Sequence, residues 1–405
     1  MNAPSRIAFL CLSGSAAFAG PVTTVPWNGH TGAVSFTYDD ARTSQLPTLL
    51  PQLDSLKLKA TFFVASSGTG GDFEQKKSDW IKVAQRGHEV TNHTRKHENV
   101  PADPNAAAII TDMANYLRGM EPSMESVTFA YPNCNVNGKT GVGGENFMAR
   151  GCGDAHYAWG TQPSDWMNVL GYLLTPTAES GAINSLNAAK TGNSWVTMLS
   201  HDVKANPDQY SITPQTNLKL LQTAIANALW IDTYAAVGAY YRAHFVMDAA
   251  NAAASADGWT LSWTSPHPKM PRSVKLRVKL ASATFGNSFT VQQGGVTIPA
   301  EADGAYVIDF MKLSMSVLKA TTGVRSGAFL PSRLQARATR EGIAFSGVVG
   351  EPEALVADFR GAVLYRGKVR GGVVPLRMDG RGVLLLTLTD GLTGKSVRAM
   401  VHPLR

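Results

Sequence analysis

Charge is scarce in this 405-residue chain. Asp, Glu, Lys and Arg make up 17% of it, against 44% hydrophobic residues, which excludes the disordered and low-complexity classes. Cysteine is scarcer still: Cys11, Cys134 and Cys152 are all there is, and their spacing excludes a CxxC metal site. No apolar run is long enough to span a bilayer. No Gly-x-Ser-x-Gly elbow lies near a candidate strand, so a serine esterase is not expected. The glycine-rich stretch 138–155 lacks the Lys-Ser/Thr ending of a phosphate-cradling loop and reads as a loop over a site. Acidic excess is also absent. The net charge is +7, and twelve Lys/Arg against six Asp/Glu place +6 of it between Pro331 and Arg405. The rest of the chain is nearly balanced, which argues against a nucleic-acid partner and leaves the tail as the candidate contact for a cell surface or acidic polymer. A plain solvated β domain is the alternative for that tail.

What is present begins with a leader. Arg6, the apolar Ile7–Ala19 and the small-x-small triplet Ala17-Phe18-Ala19 read as a signal peptide over residues 1–19, predicting a secreted or cell-surface protein. The alternative, a buried first strand, has no turn chemistry framing it. After cleavage Cys134 and Cys152 remain, and in an oxidising compartment they are expected to pair, a closure worth about 3 kcal/mol.

From residue 30 to 200, short apolar runs alternate with helical spacing. The strand candidates are Ala33–Tyr38, Ala60–Ala65, Glu89–Thr91, Ser126–Tyr131, His156–Trp159 and Trp195–Ser200. Helices are predicted around Leu46–Leu56, although Pro51 weakens that one, and over Asn105–Met120, Thr213–Leu229 and Ile231–Met247. This order predicts an α/β fold with a parallel sheet or (β/α) barrel over 22–250. Asn251–Gly258 reads as a linker. Two small all-β domains are expected beyond it, 256–320, sandwich-like, and the basic 331–405. In Val274–Leu280 apolar and cationic residues alternate strictly, as in a half-buried strand, and Trp259 or Trp263 could instead mark a sugar-binding face.

Four stretches carry chemistry: Thr37-Tyr38-Asp39-Asp40, Gly87–His97, Tyr131-Pro132 and Leu199-Ser200-His201-Asp202. Each closes a candidate strand, where barrel folds place active sites. Asp-Asp after a strand is by itself most often a turn or cap, and turning both carboxylates inward requires a kink. His93 and His97, four apart, would share one face of a helix or tight helical loop and could bind one cation. One carboxylate and two imidazoles form a three-ligand set with open positions, suited to zinc or a similar divalent ion. His201 alone would be an ordinary strand-end residue.

Taken as an ordered set, these residues resemble the polysaccharide deacetylase family, the NodB-homology domain of carbohydrate esterase family 4. Thr37-Tyr38-Asp39-Asp40 is similar to its Thr-Phe-Asp-Asp motif, His93-Thr94-Arg95-Lys96-His97 to its His-Ser/Thr-x-x-His, Leu199-Ser200-His201 to its Leu-x-His, and Asp165-Trp166 to its fourth motif. The resemblance implies a distorted (β/α) barrel that hydrolyses acetyl groups on a polysaccharide, the N-acetyl of chitin-like or cell-wall glycans or the O-acetyl of xylan. It implies one divalent ion, zinc with cobalt or manganese as alternatives, held by Asp40, His93 and His97. Asp39 would be the general base, His201 the general acid and Asp165 the residue tuning His201. Tyr131, Asn133 and Trp166 would contact substrate. One departure stands out: Ala130 occupies the place of the arginine that buttresses the catalytic carboxylate, so another cation is expected to replace it. The rival reading is a catalytically silent glycan-binding protein that kept the barrel.

Overall fold

Ala33–Asp39 is buried along its whole length, as a strand covered on both faces must be. The computed structural model describes residues 20–102 and 105–319, then 335–339, 342–346, 352–358, 362–370, 372–376, 383–389 and 396–402. The expected leader, 1–19, lies outside them.

Seven parallel strands close into a barrel in sequence order. They are β1 (Ala33–Asp39), β2 (Thr61–Val64), β3 (Glu89–Asn92), β4 (Thr128–Ala130), β5 (Met148–Cys152), β6 (Val169–Leu173) and β7 (Ser194–Ser200). Closure is the pairing of β7 with β1, Ala33 opposite Trp195 through Tyr38 opposite Ser200. Outside run α1 (Leu50–Leu56), α2 (Lys77–Gln85), α3 (Asn105–Met120), α4 (Lys139–Glu145), α5 (Glu179–Thr191), α6 (Pro214–Ala226) and α7 (Tyr234–Met247). Pro51 falls in the first turn of α1, where its missing N–H costs nothing, so it does not break the helix.

Three expectations give way here. The glycine-rich stretch is not a loop but α4 followed by β5. Its glycines permit close packing: a Cβ on Gly141 would come within 2.5 Å of Ala106 Cβ on α3, and one on Gly151 within 1.9 Å of Asn168 Oδ1. Residues 156–159, expected as a barrel strand, supply only a two-residue edge strand, Tyr157–Ala158, antiparallel to β7. The expected linker contains a strand, Ala252–Ala254, paired with Gly258–Ser262.

The boundary at 250 also disappears. Val22–Thr24, ahead of the barrel, pairs antiparallel with Lys275–Leu280. Trp27, Tyr240 and Tyr241 share one core with Leu261, Leu276, Val278, Ile308 and Phe310, and the chain up to residue 320 forms one compact unit. Leu276 and Val278 fill that core while Lys275 pairs with Asp309, Arg277 with Glu301 and Lys279 with Asp303, so the cationic edge is neutralised. Trp263 is buried and its indole N–H donates to the Phe310 carbonyl, which takes it out of any sugar-binding face. The second unit, from residue 321, is all β in its described residues. A four-stranded antiparallel sheet runs in the order Val363–Lys368, Glu353–Ala357, Leu384–Thr389, Ser396–Val401, beside a three-stranded one, over a core that includes Ile343, Val356 and Leu386.

Candidate active site

The C-terminal ends of β1, β3 and β7 supply the functional side chains. On a regular strand Asp39 and Asp40 would face opposite ways. Asp40 instead adopts φ 77° and Ala41 φ 51°, both left-handed, which swings the second carboxylate back over the barrel mouth. Such residues cost of order 1–3 kcal/mol each and persist where surroundings fix them. Here the Thr69 hydroxyl donates to the Asp40 carbonyl at 3.0 Å, and Gly71 lies so close that a Cβ would meet that oxygen at 2.3 Å.

His93 and His97 leave β3 on an irregular loop rather than the expected helical turn, with Thr94 at φ 64° and His97 at φ 55°. The loop still brings both imidazoles together: Nε2 of each lies 3.5 Å from Asp40 Oδ1. One ligand atom from each of Asp40, His93 and His97 falls within 4.8 Å of the others. His93 Nδ1–H donates to the Ala130 carbonyl at 2.8 Å, which leaves the Nε2 lone pair facing Asp40. Burial pushes the His93 imidazole down to about 3, keeping it neutral, and lowers His97 as well. Asp40 Oδ1 is buried without a hydrogen-bond partner, while Oδ2 accepts from Arg42 at 3.1 Å. Burial first, then the neighbouring Asp39 charge, push Asp40 up to about 6. An orphaned carboxylate oxygen between two neutral imidazoles fits a divalent cation.

Asp39 is held differently. Arg150, in the middle of β5 and 1% exposed, reaches across the barrel to bind both its oxygens, at 2.8 and 2.5 Å, and also donates to Thr37 Oγ1 at 2.8 Å. Burial alone would raise this carboxyl, but the Arg150 guanidinium, by its charge and its hydrogen bonds, outweighs it and holds Asp39 at about 2. The two neighbouring carboxylates are thereby driven apart in acidity, the mark of divided roles. His201 begins beyond β7 with Nε2 4.0 Å from Asp40 Oδ2. The Gln45 amide donates to the carbonyls of both Asp39 and His201, tying the ends of β1 and β7 together.

The polysaccharide deacetylase family model matches residues 28–143. Over that segment this chain is similar to the polysaccharide deacetylase family. The matched segment contains Asp39, Asp40, His93 and His97 and stops short of Arg150 and His201. Among curated proteins there is no match. Similar solved structures include the Xyl-CE4 domain of a multidomain xylanase from the hindgut metagenome of Trinervitermes trinervoides, at 15% identity over 51% of this chain and 89% of that one, TM-score 0.33. The chitin deacetylase of the fungal pathogen Colletotrichum lindemuthianum is similar at 17% identity, 51% and 87% coverage and TM-score 0.34. The peptidoglycan deacetylase PdaC of Bacillus subtilis is similar at 14%, 51% and 90%, TM-score 0.33.

Within the barrel the remaining predicted residues fare unevenly. Asp165 does not tune His201: it accepts from Lys139 at 2.7 Å and from the Met167 N–H at 2.8 Å, while His201 Nδ1 is buried without a partner. Tyr131 is 1% exposed, its hydroxyl donating to the Met167 carbonyl, so its side chain packs rather than contacting substrate. Trp166 is half-buried against Tyr241 with Arg242 over its ring. Asn133 is exposed at φ 55° beyond β4, and Cys134 beside it is bonded to Cys152 at the end of β5. Arg150, Gln45 and Arg42 are the site residues not singled out from sequence. The missing arginine at position 130 was the signal that could have led to Arg150, a lone cation between Met148-Ala149 and Gly151-Cys152.

Proposed function

We propose that this chain is a secreted, metal-dependent deacetylase that hydrolyses acetyl groups on a carbohydrate polymer. The observation that carries the reading is the pair of neighbouring carboxylates with opposite surroundings: Asp40 open toward two neutral imidazoles, Asp39 clamped by Arg150. Asp40, His93 and His97 would hold one divalent ion, zinc, cobalt or manganese, which when bound supplies Lewis-acid polarisation of the acetyl carbonyl and a more acidic water. Asp39, kept ionised by Arg150, accepts a proton from the water that adds to the acetyl carbon. His201, protonated, gives a proton to the departing amine or alcohol, so acetate and the free sugar group leave. The bonded Cys134–Cys152 pair supports export, since such bonds persist in oxidising compartments. The +6 tail is the proposed contact with an acidic surface polymer.

The test is acetate release from acetylxylan and from N-acetylchitooligosaccharides after chelation and re-addition of each ion. Activity lost on chelation and restored by at least one ion is expected. Asp39→Asn should abolish turnover with the ion retained, and His93→Ala should lose the ion. A His93→Ala protein with full metal content and full activity would overturn the ligand assignment.

A further inference from the structure

Every Phe, Tyr and Trp among the described residues is buried or half-buried except one, Tyr210, which is 45% exposed. It is also the aromatic beside the proton donor. Its ring centroid lies 5.4 Å from that of His201, at 42°, and its carbonyl accepts from the His201 N–H at 3.2 Å.

The loop that presents it is stiff. Asp208 accepts from Lys204 at 2.6 Å, from the Ser211 hydroxyl at 2.8 Å and from the Tyr210 N–H at 3.2 Å. Ser211–Ile212 then pairs parallel with Asp202–Val203, so both ends of the loop are tied to the strand segment that follows His201. A rigid Tyr offers a large amphipathic face with little entropy left to lose on binding.

We infer that Tyr210 is a stacking platform for the pyranose ring next to the acetylated residue, so that the site takes an oligosaccharide rather than an isolated sugar. This rests on the deacetylase reading for the position of the reacting group. A sugar ring has an apolar face of axial C–H groups and a hydroxyl rim. The first suits the exposed ring, and the second suits the polar side chains beside it, His201 and Asp208. Losing one such contact is worth about tenfold in affinity.

The test titrates zinc-loaded Asp39→Asn protein, which turns nothing over, with N-acetylchitopentaose and with acetylated xylopentaose. Tyr210→Ala and Tyr210→Trp are compared in that background. Acetate release from the same pentasaccharides and from 4-nitrophenyl acetate is measured with Asp39 intact. Expected is about tenfold weaker binding for Tyr210→Ala with recovery in Tyr210→Trp, and a loss of kcat/KM on the pentasaccharide about tenfold larger than on the aryl ester. Equal losses on both substrates would mean that the ring only positions His201 and would overturn the platform, as would unchanged binding or no binding of either pentasaccharide. Tyr210-dependent binding without acetate release from the Tyr210 protein would keep the platform and reject the deacetylase reading.

Discussion

Arg150 illustrates what one residue can carry. Its guanidinium satisfies both oxygens of Asp39 in a place that water does not reach. Removing it leaves a buried carboxylate unpaired, a loss of about 3–5 kcal/mol. Arg150→Met should therefore lower the unfolding free energy by that order and abolish turnover. Arg150→Lys keeps the charge without the two-pronged geometry and should fall between. Chemical denaturation and acetate release read both, and Arg150→Met combined with Asp39→Asn should recover stability if the pair is the cause. Asp40 carries a second prediction. Its carboxyl is raised above the ordinary value to about 6, so in the ion-free protein its proton stabilises the fold at low pH, and that contribution is lost as pH rises through about 6. An ion must displace the same proton below that pH. Zinc affinity by calorimetry should be level above pH 7 and weaken by about tenfold per unit below about 6. A flat profile from pH 7 to 5 would remove Asp40 from the ligand set.

At the scale of elements, the site is assembled where strands end and held by what joins neighbouring strands. The Cys134–Cys152 bond links the turn after β4 to the last residue of β5, the strand that bears Arg150. A closed loop of this size is worth about 3 kcal/mol by chain entropy. Reduction, or a double Cys→Ser substitution, should lower the melting temperature and release the Asn133–Cys134 turn. Thermal melts with and without reductant check the first, and hydrogen exchange of the amides following Pro132 checks the second. The elements that sequence pattern found are those with strong local signals. Asn105–Met120 is a helix with its expected bounds, and Ala33–Asp39 extends its prediction by one residue. α4 and β5 were missed because their glycines read as loop. Their purpose is contact with Ala106 and Asn168, residues remote in sequence.

At the scale of the whole molecule, the barrel and the β strands up to residue 319 are one folding unit, since the N-terminal Val22–Thr24 is a strand of the later sheet. A chain cut at 250 would uncover the α7 face by removing Leu261, Leu276, Val278, Ile308 and Phe310, each worth about 1.5–3 kcal/mol of burial. That sum reaches the whole stability of an ordinary domain. We expect residues 20–250 to be unfolded or aggregated and residues 20–320 to be folded with the site intact. Circular dichroism melts and zinc binding of the two truncations decide it.

The barrel, and the set of acidic and histidine side chains gathered at its rim, were legible in the linear order of residues. Asp39, Asp40, His93, His97 and His201 sit within short local motifs at strand ends, and parallel closure must bring such ends to one rim. That order also announced a vacancy at Ala130. Which residue fills it emerges only from the fold, because the distance from Asp39 to Arg150 along the chain is 111 residues and barrel closure converts it to 2.8 Å. The same holds for Asp165, captured by Lys139 rather than His201, and for the lost boundary at 250. Partners are chosen by proximity in space, and a linear pattern encodes which residues can pair but not which neighbour arrives first.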